Sequence, residues 1–330
     1  MRAWQVNSFG EPADVLTFND NAALFETDPD QVKIKVEAAG LGLPDVFSCQ
    51  NSYPLTPPLP FVPSQEAAGT IVEVGENVDT NLIDQRVLGP TLFQEQRGGL
   101  AEFCLMSAQA IYEIPDGMSS EEAAGFYIPY QTAWVGLIHR GKITADDTVL
   151  ILGASGSSGC AAVQLAKAVG ARVIAVAGGP EKSRFCLEIG ADEVIDHHSG
   201  DITGSARELT KGRGVDVIFD PVGGKPGRAA FKAIAFEGRF VVIGFASGEW
   251  ARVNISETLL TNVSLVGAMP SGFSSEFYID AHHDLMEHWN DGKLKVVGNQ
   301  VFKFEDGLKA IQHIASGKVE GKVVVSVSGD

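Results

Sequence analysis

TVLILGASGSSGCAAVQLAKAVGARVIAVA, residues 148–177, is the stretch that decides the fold. Val149, Leu150, Ile151 and Leu152 form a short, partly β-branched apolar run of the kind that sits in a parallel sheet buried on both faces, and Gly153 breaks it where the chain must turn. Ala154, Ser155, Gly156, Ser157, Ser158 and Gly159 then follow the G-x-G-x-x-G spacing, with alanine in the first position. Gly156 would let backbone approach a pyrophosphate, and Gly159 would let the following helix lie close on the sheet. The spacing predicts that helix over residues 160–169, rich in Ala, Leu, Gln and Lys, with Gly170 as its terminator. Its free N-terminal N–H groups would face the phosphates. A second strand at residues 172–177 completes a dinucleotide-binding βαβ unit. The competing readings are an α/β domain whose glycines serve only tight turns, and a serine-hydrolase elbow. The elbow fits worse, because Gly153-Ala154-Ser155-Gly156-Ser157 is not G-x-S-x-G.

Outward from this unit, strand-like runs recur at residues 215–219, 240–243 and 264–266, each separated from the next by a helix-length segment, which predicts a doubly wound parallel sheet. The 330 residues are enough for two domains with separate cores. The formal charge of −17 disfavours nucleic acid and anionic membrane as partners, since no local basic patch offsets it. Four cysteines, Cys49, Cys104, Cys160 and Cys186, are scattered without a C-x-x-C pair, which suits reduced thiols. With no apolar run of membrane-spanning length and no apolar core behind Met1, a cytoplasmic location is expected.

Up to about residue 123 the chain has a different character, with short β-rich runs, many Gly and Pro and little helix, and it reads as all-β. Residues 32–36 alternate cleanly, and 68–74 and 86–88 are further strands. Five prolines in residues 51–63 predict a rigid irregular loop, the kind of segment that carries sites on a strand scaffold. Residues 275–290 predict an amphipathic helix with Phe277, Leu285, Met286 and Trp289 as its apolar members. His282, His283 and His288 punctuate it; His283 and Glu287 are spaced like a metal pair, but a solvated polar face is the preferred reading. A strand and helix up to Ala315 precede a last strand, residues 322–327, expected to return to the N-terminal β domain. Ser328, Gly329 and Asp330 look dispensable.

Several separated segments together resemble one family: Gly10-Glu11-Pro12 with Val15-Leu16, Glu66-Ala67-Ala68-Gly69, Asp84-Gln85-Arg86-Val87, residues 98–103 (GGLAEF), Asp220-Pro221-Val222-Gly223-Gly224, residues 237–248 (EGRFVVIGFASG) and Gly321-Lys322. Over essentially its whole length the chain is similar to the medium-chain dehydrogenase/reductase superfamily, and within it to the zinc-free quinone-oxidoreductase (zeta-crystallin-like) group. The resemblance implies an α/β architecture: a GroES-like β-barrel catalytic domain from residues 1–123 and 273–330, and a Rossmann domain of doubly wound parallel sheet from residues 124–272. It also implies a homodimer formed through the sheet edge near Ser264 to Gly267.

Zinc alcohol dehydrogenases differ from this chain at three places. Their catalytic ligands would fall at Gly42, Gln65 and Ile128, none of which is a plausible Zn²⁺ ligand, and the four-cysteine structural lobe is missing from residues 91–97. Without a Lewis acid, the acceptor should be one that delocalises an incoming electron pair, a quinone or an α,β-unsaturated carbonyl. Tyr53 resembles the tyrosine lining the substrate pocket of the family and is the catalytic candidate, against a purely structural loop aromatic. Where relatives often carry asparagine, this chain has Gly42.

NADPH is the expected cofactor. No acid follows the second strand until Glu181, Gly178 and Gly179 open room, and Lys182 resembles the lysine that meets the 2′-phosphate; His197 falls where relatives place a tyrosine for the same group. By the same resemblance, Thr132, Ile243, Gly244, Phe245 and Gly267 would surround the nicotinamide, and Lys322 is counted among the cofactor residues. The function so implied is hydride transfer from NADPH to a quinone or related conjugated carbonyl. The alternatives are a 2-alkenal or enoyl-thioester (enoyl-CoA) reductase and, from another class, a cofactor-binding structural or regulatory protein.

Overall fold

The computed structural model describes residues 1–198, 200–298 and 300–328; Gly329 and Asp330, read above as dispensable, lie outside the described residues. The chain divides into two compact units, Met1–Ile128 with Gly298–Asp330, and Pro129–Val297. The helix Ser275–Asn290 lies within the second of these units. There Asp284 Oδ2 accepts from Trp134 Nε1 at 2.6 Å, and Phe277 packs edge-on against the Trp134 ring. His283 and Glu287, 3.5 Å apart, both stand on a solvated face, as expected, whereas His282 is buried. Burial holds the His282 imidazole down to about 4.

Within the second unit six parallel strands run β1 (Thr148–Leu152), β2 (Arg172–Ala177), β3 (Glu193–Asp196), β4 (Val215–Asp220), β5 (Ile234–Val242) and β6 (Ser264–Gly267). Their spatial order is β3-β2-β1-β4-β5-β6, so the direction of winding reverses between β1 and β4. That is the doubly wound order in which ligands bind beyond the carboxyl ends of the strands. All five β1 residues are buried, as a central parallel strand requires. Helices Ser157–Val169, Pro180–Glu188, Ile202–Leu209, Gly224–Phe231 and Ile255–Thr261 connect successive strands. Leu150, Ile174, Ile195, Ile218, Phe231 and Phe240 lie in one core of the sheet and its covering helices.

In the first unit a seven-stranded sheet is organised by the long strand Gln31–Leu41. One edge of it pairs antiparallel with Glu66–Val74; the other is shared, Phe103–Ser107 taking its first half and Val323–Ser326 its second. The closing strand of the chain therefore does sit in the β unit. Ile34, Leu41, Phe61, Ile71, Leu100, Met106, Ile311 and Val325 share its core. Helix is less scarce than the β-rich composition suggests. Leu43–Cys49 forms a short helix with proline in its first turn, where the missing N–H costs nothing, and Gly307–Ala315 forms another. Among the described residues no helix is long and apolar enough to cross a membrane.

Candidate functional site

The glycine turn of the second unit is built by backbone. Gly153 has φ +58°, so it makes the tight turn at the end of β1; Ala154 stays outside the left-handed region and is fully buried, its N–H donating to Val176 O at 3.1 Å. This explains how alanine replaces the expected first glycine. A Cβ on Gly159 would lie 2.2 Å from Gly153 O and 2.7 Å from Ala154 Cα, so only glycine lets the helix approach the strand. A Cβ on Gly156 would meet nothing nearer than Gly153 O at 3.4 Å, which leaves this backbone approachable. The helix begins at Ser157 rather than at residue 160, with extended Gly156 as its N-cap and no side chain capping it. Ser155 is buried, while Ser157 and Ser158 lie in the first turn, where helix N–H groups lack intrahelical partners. An uncapped helix end beside open glycine backbone suits a phosphate.

The carboxyl ends of the other strands supply the remaining candidates. After β2, Gly178 and Gly179 (φ +87°) lead into the helix that carries Lys182. His197 and His198 follow β3 with ring centroids 4.5 Å apart, and a Cβ on Gly178 would lie 2.9 Å and 2.7 Å from their Nε2 atoms. Asp196 is the nearest acid, and its Oδ1 already accepts the N–H groups of Gly179 and His198, both at 2.9 Å. After β5, the N–H groups of Ile243 and Gly244 donate to Asp220 O at 3.0 and 3.1 Å, pinning this segment to the turn after β4; Phe245 packs on Trp250 with centroids 4.6 Å apart. Gly267 ends β6, and its carbonyl accepts from Arg140 Nε at 3.0 Å. Thr132 is buried in the helix Tyr127–Ala133. Its neighbour Gln131, which sequence reasoning passed over, is 2% exposed, and among the described residues neither atom of its carboxamide has a hydrogen-bond partner. A buried amide in that state is completed by water or by a bound group, so the residues fit a dinucleotide.

Side chains, rather than backbone, make the cluster in the first unit. Half-buried Tyr53 lies in the proline-rich loop, its carbonyl accepting from Thr56 N at 3.1 Å and Oγ1 at 2.7 Å. Burial raises its phenol above the ordinary range despite the Gln65 carboxamide beside it, so Tyr53 keeps its proton and stays a hydrogen-bond donor. Next to it, fully buried Asp45 accepts from Gly42 N (2.8 Å) and Ser64 N (2.7 Å), and burial pushes its carboxyl up to about 6. Glu66 is buried as well, accepting from Lys322 Nζ at 2.5 Å and Ile128 N at 2.8 Å. Burial pushes Glu66 up, and Lys322 and the Ile128 N–H pull it back.

Sheet register creates this ion pair. Gly40 stands opposite both Glu66 and Val324, and a Cβ there would lie 2.7 Å from Glu66 Cγ and 2.1 Å from Ala124 O. The bare glycine leaves Glu66 and Lys322 room to meet. Lys322, counted above with the cofactor residues, thus lies in the first unit with its ammonium on Glu66. Asp45 gave no sequence signal as a site residue, and its signature appears only as burial with two N–H donors. Gly42 and Ile128, matched by the sequence resemblance to zinc-ligand positions, turn backbone N–H groups toward Asp45 and Glu66 respectively. Among the described residues no group of three His, Cys, Asp or Glu is arranged to hold a metal.

Comparison with known proteins agrees with both halves of this description. The family model described as zinc-binding dehydrogenase matches residues 159–284, and the alcohol dehydrogenase GroES-like domain matches residues 28–116. The quinone oxidoreductase-like protein 2 homolog of Nematostella vectensis is 35% identical over 332 residues, covering 98% of this chain and 88% of its own. A phenolphthiocerol/phthiocerol polyketide synthase protein of Mycobacterium tuberculosis is 31% identical over 304 residues, 90% of this chain but 14% of that protein. A mycobacterial structure solved in complex with NADPH superposes with a TM-score of 0.90 at 29% identity, covering 99% of this chain and 100% of that one. The chain belongs to the quinone oxidoreductase group of the medium-chain dehydrogenase/reductase superfamily, and is an oxidoreductase built on a Rossmann domain and a GroES-like domain.

Proposed function

We propose that this protein is an NADPH-dependent reductase of quinones and related conjugated carbonyls that works without a bound metal. The observation that carries the reading is the turn after β2. It has no acid between Ala177 and Glu181, one oxygen of the nearby Asp196 is taken by two backbone N–H groups, His197 and His198 stand against Gly178, and the Lys182 charge bears on His197. An NAD site wants a carboxylate for the ribose hydroxyls; this one offers cations and imidazoles for a 2′-phosphate. The pyrophosphate is assigned to Ala154, Ser155, Gly156, Ser157, Ser158 and Gly159, and the nicotinamide to Thr132, Gln131, Ile243, Gly244, Phe245 and Gly267.

Bound NADPH supplies a hydride. Tyr53 is assigned to the acceptor's oxygen: protonated and neutral, it donates a hydrogen bond where negative charge develops. A conjugated acceptor spreads that charge, so a phenol serves where a simple ketone would call for a Lewis acid. Lys322 acts through Glu66 as a positioning residue, holding the sheet and the start of the helix at Ile128. The match to a polyketide synthase segment supports a thioester-linked conjugated acceptor as the second reading.

A homodimer belongs to this proposal. The edge strand β6 is unpaired on one side among the described residues, and Ile255, Leu259 and Leu260 of the preceding helix are 77%, 78% and 80% exposed. An open edge beside an apolar helix face is what a second copy would cover. The experiment that tests the function follows NADPH and NADH consumption with a panel of quinones, alkenals and enoyl-CoA esters. Turnover of conjugated acceptors with NADPH is expected; NADPH binding without turnover of any of them would return the chain to a structural or regulatory role.

A further inference from the structure

We propose that recognition of the 2′-phosphate is coupled to uptake of a proton by the His197–His198 pair, so that the preference for NADPH over NADH is itself set by pH. This deepens the reading above and rests on it. Both imidazoles turn Nε2 toward the glycine turn: a Cβ on Gly178 would lie 2.9 Å from His197 Nε2 and 2.7 Å from His198 Nε2, so the two nitrogens stand close together beside that backbone. The two rings meet edge to face with centroids 4.5 Å apart and are exposed to solvent. Two nitrogens that converge in this way are both able to donate to one phosphate only if the rings carry Nε2–H, and a protonated ring adds charge to the bond.

The charged groups around the pair are few. From its own strand end comes Asp196, engaged by Gly179 N and His198 N; from the helix Pro180–Glu188 comes Lys182; Asp201, which begins the helix Ile202–Leu209, uses its carboxylate on Thr203 N and Gly204 N. Burial, His198 and Lys182 hold the His197 imidazole below its ordinary range, with Asp196 opposing them. Without ligand His197 is therefore neutral at pH 7.5. A phosphate monoester is almost wholly dianionic there, its second ionisation lying near ~6, and placing it on the pair reverses the balance. The proton comes from solvent. Any proton lost by the phosphate itself would have the opposite sign, which makes the direction of exchange diagnostic.

The test titrates adenosine 2′,5′-bisphosphate and 5′-AMP into the protein by calorimetry, in two buffers of different ionisation enthalpy, from pH 6.5 to 8.5. Bisphosphate binding is expected to take up roughly half to one proton at pH 7.5, and 5′-AMP none. The preference for bisphosphate should fall about tenfold across the range, the loss of one charge-assisted contact. His197→Asn with His198→Asn should abolish the uptake and flatten the profile, whereas Lys182→Ala should weaken bisphosphate binding and keep its slope. A bisphosphate preference independent of pH with no proton taken up overturns the coupling and leaves the NADPH assignment standing. Equal binding of the two nucleotides overturns both.

Discussion

The two candidate regions are made from different materials. In the second unit, the glycine turn after β1 is built from main-chain N–H groups and from glycines whose missing side chains leave space; in the first, Tyr53, Asp45, Gln65, Glu66 and Lys322 come together as side chains drawn from separate parts of the chain. A backbone site is local, set by a dozen consecutive residues, so altering one of them changes shape. A side-chain cluster depends on strand register, and altering one member strands another. The contrast predicts how each region fails.

The largest effect should come from stranding a charge. Lys322→Met leaves Glu66 buried and unpaired and should cost about 3–5 kcal/mol of stability in denaturant unfolding, while Glu66→Gln combined with Lys322→Met should recover most of it. If the single variant costs under about 1 kcal/mol, the cluster is not held by this pair. Gly159→Ala comes next. Its methyl meets Gly153 O and Ala154 backbone, which cannot step aside as a flexible side chain would, so about 2–4 kcal/mol should be lost together with dinucleotide binding. A variant of wild-type stability would mean that the helix can move off β1.

Lys182→Ala tests the second turn without touching the fold. It should weaken NADPH by about 1.5–3 kcal/mol, roughly ten- to a hundredfold in affinity, and leave NADH almost unchanged; equal losses in fluorescence titrations of the two cofactors would remove Lys182 from the phosphate. Tyr53→Phe should lower kcat and kcat/KM together, by about 1–2 kcal/mol in transition-state terms, with NADPH binding intact. A rise in KM alone would reduce Tyr53 to positioning, and lowered thermal stability with unchanged kinetics would make it a loop anchor. Smallest of all is the effect of chelation, expected to be nil on rate and on unfolding. Stoichiometric zinc lost together with activity on dialysis would overturn the assignment of Gly42, Gln65 and Ile128 as replaced ligands.

What the sequence reveals divides along the same line. Strand runs, the glycine turn and the terminator Gly170 are local signals, and Thr148–Leu152, Arg172–Ala177 and the helix up to Val169 are found where they point. The helix starts three residues early because Gly156, not Gly159, is the cap. Asp45 could not be read, since Gly42 N gives it only a local capping contact and Ser64 becomes its neighbour only when the proline-rich loop is folded. The Glu66–Lys322 pair spans 256 residues and is created by the register of two strands against Gly40. The burial of His282 was not legible, because helical periodicity gives the spacing of a face without saying how much of it is covered.

The pairing of Val323–Ser326 with Ala38–Leu41 has a consequence for synthesis. The second unit is one continuous segment and has all its strands once residue 297 has left the ribosome. The first unit, begun earlier, waits with the second half of its central strand unpaired on one edge, and with Glu66 lacking its ammonium, until some thirty further residues arrive. The sheet of the earlier-made unit can therefore be completed only after the whole of the later-made unit has been synthesised and is free to fold.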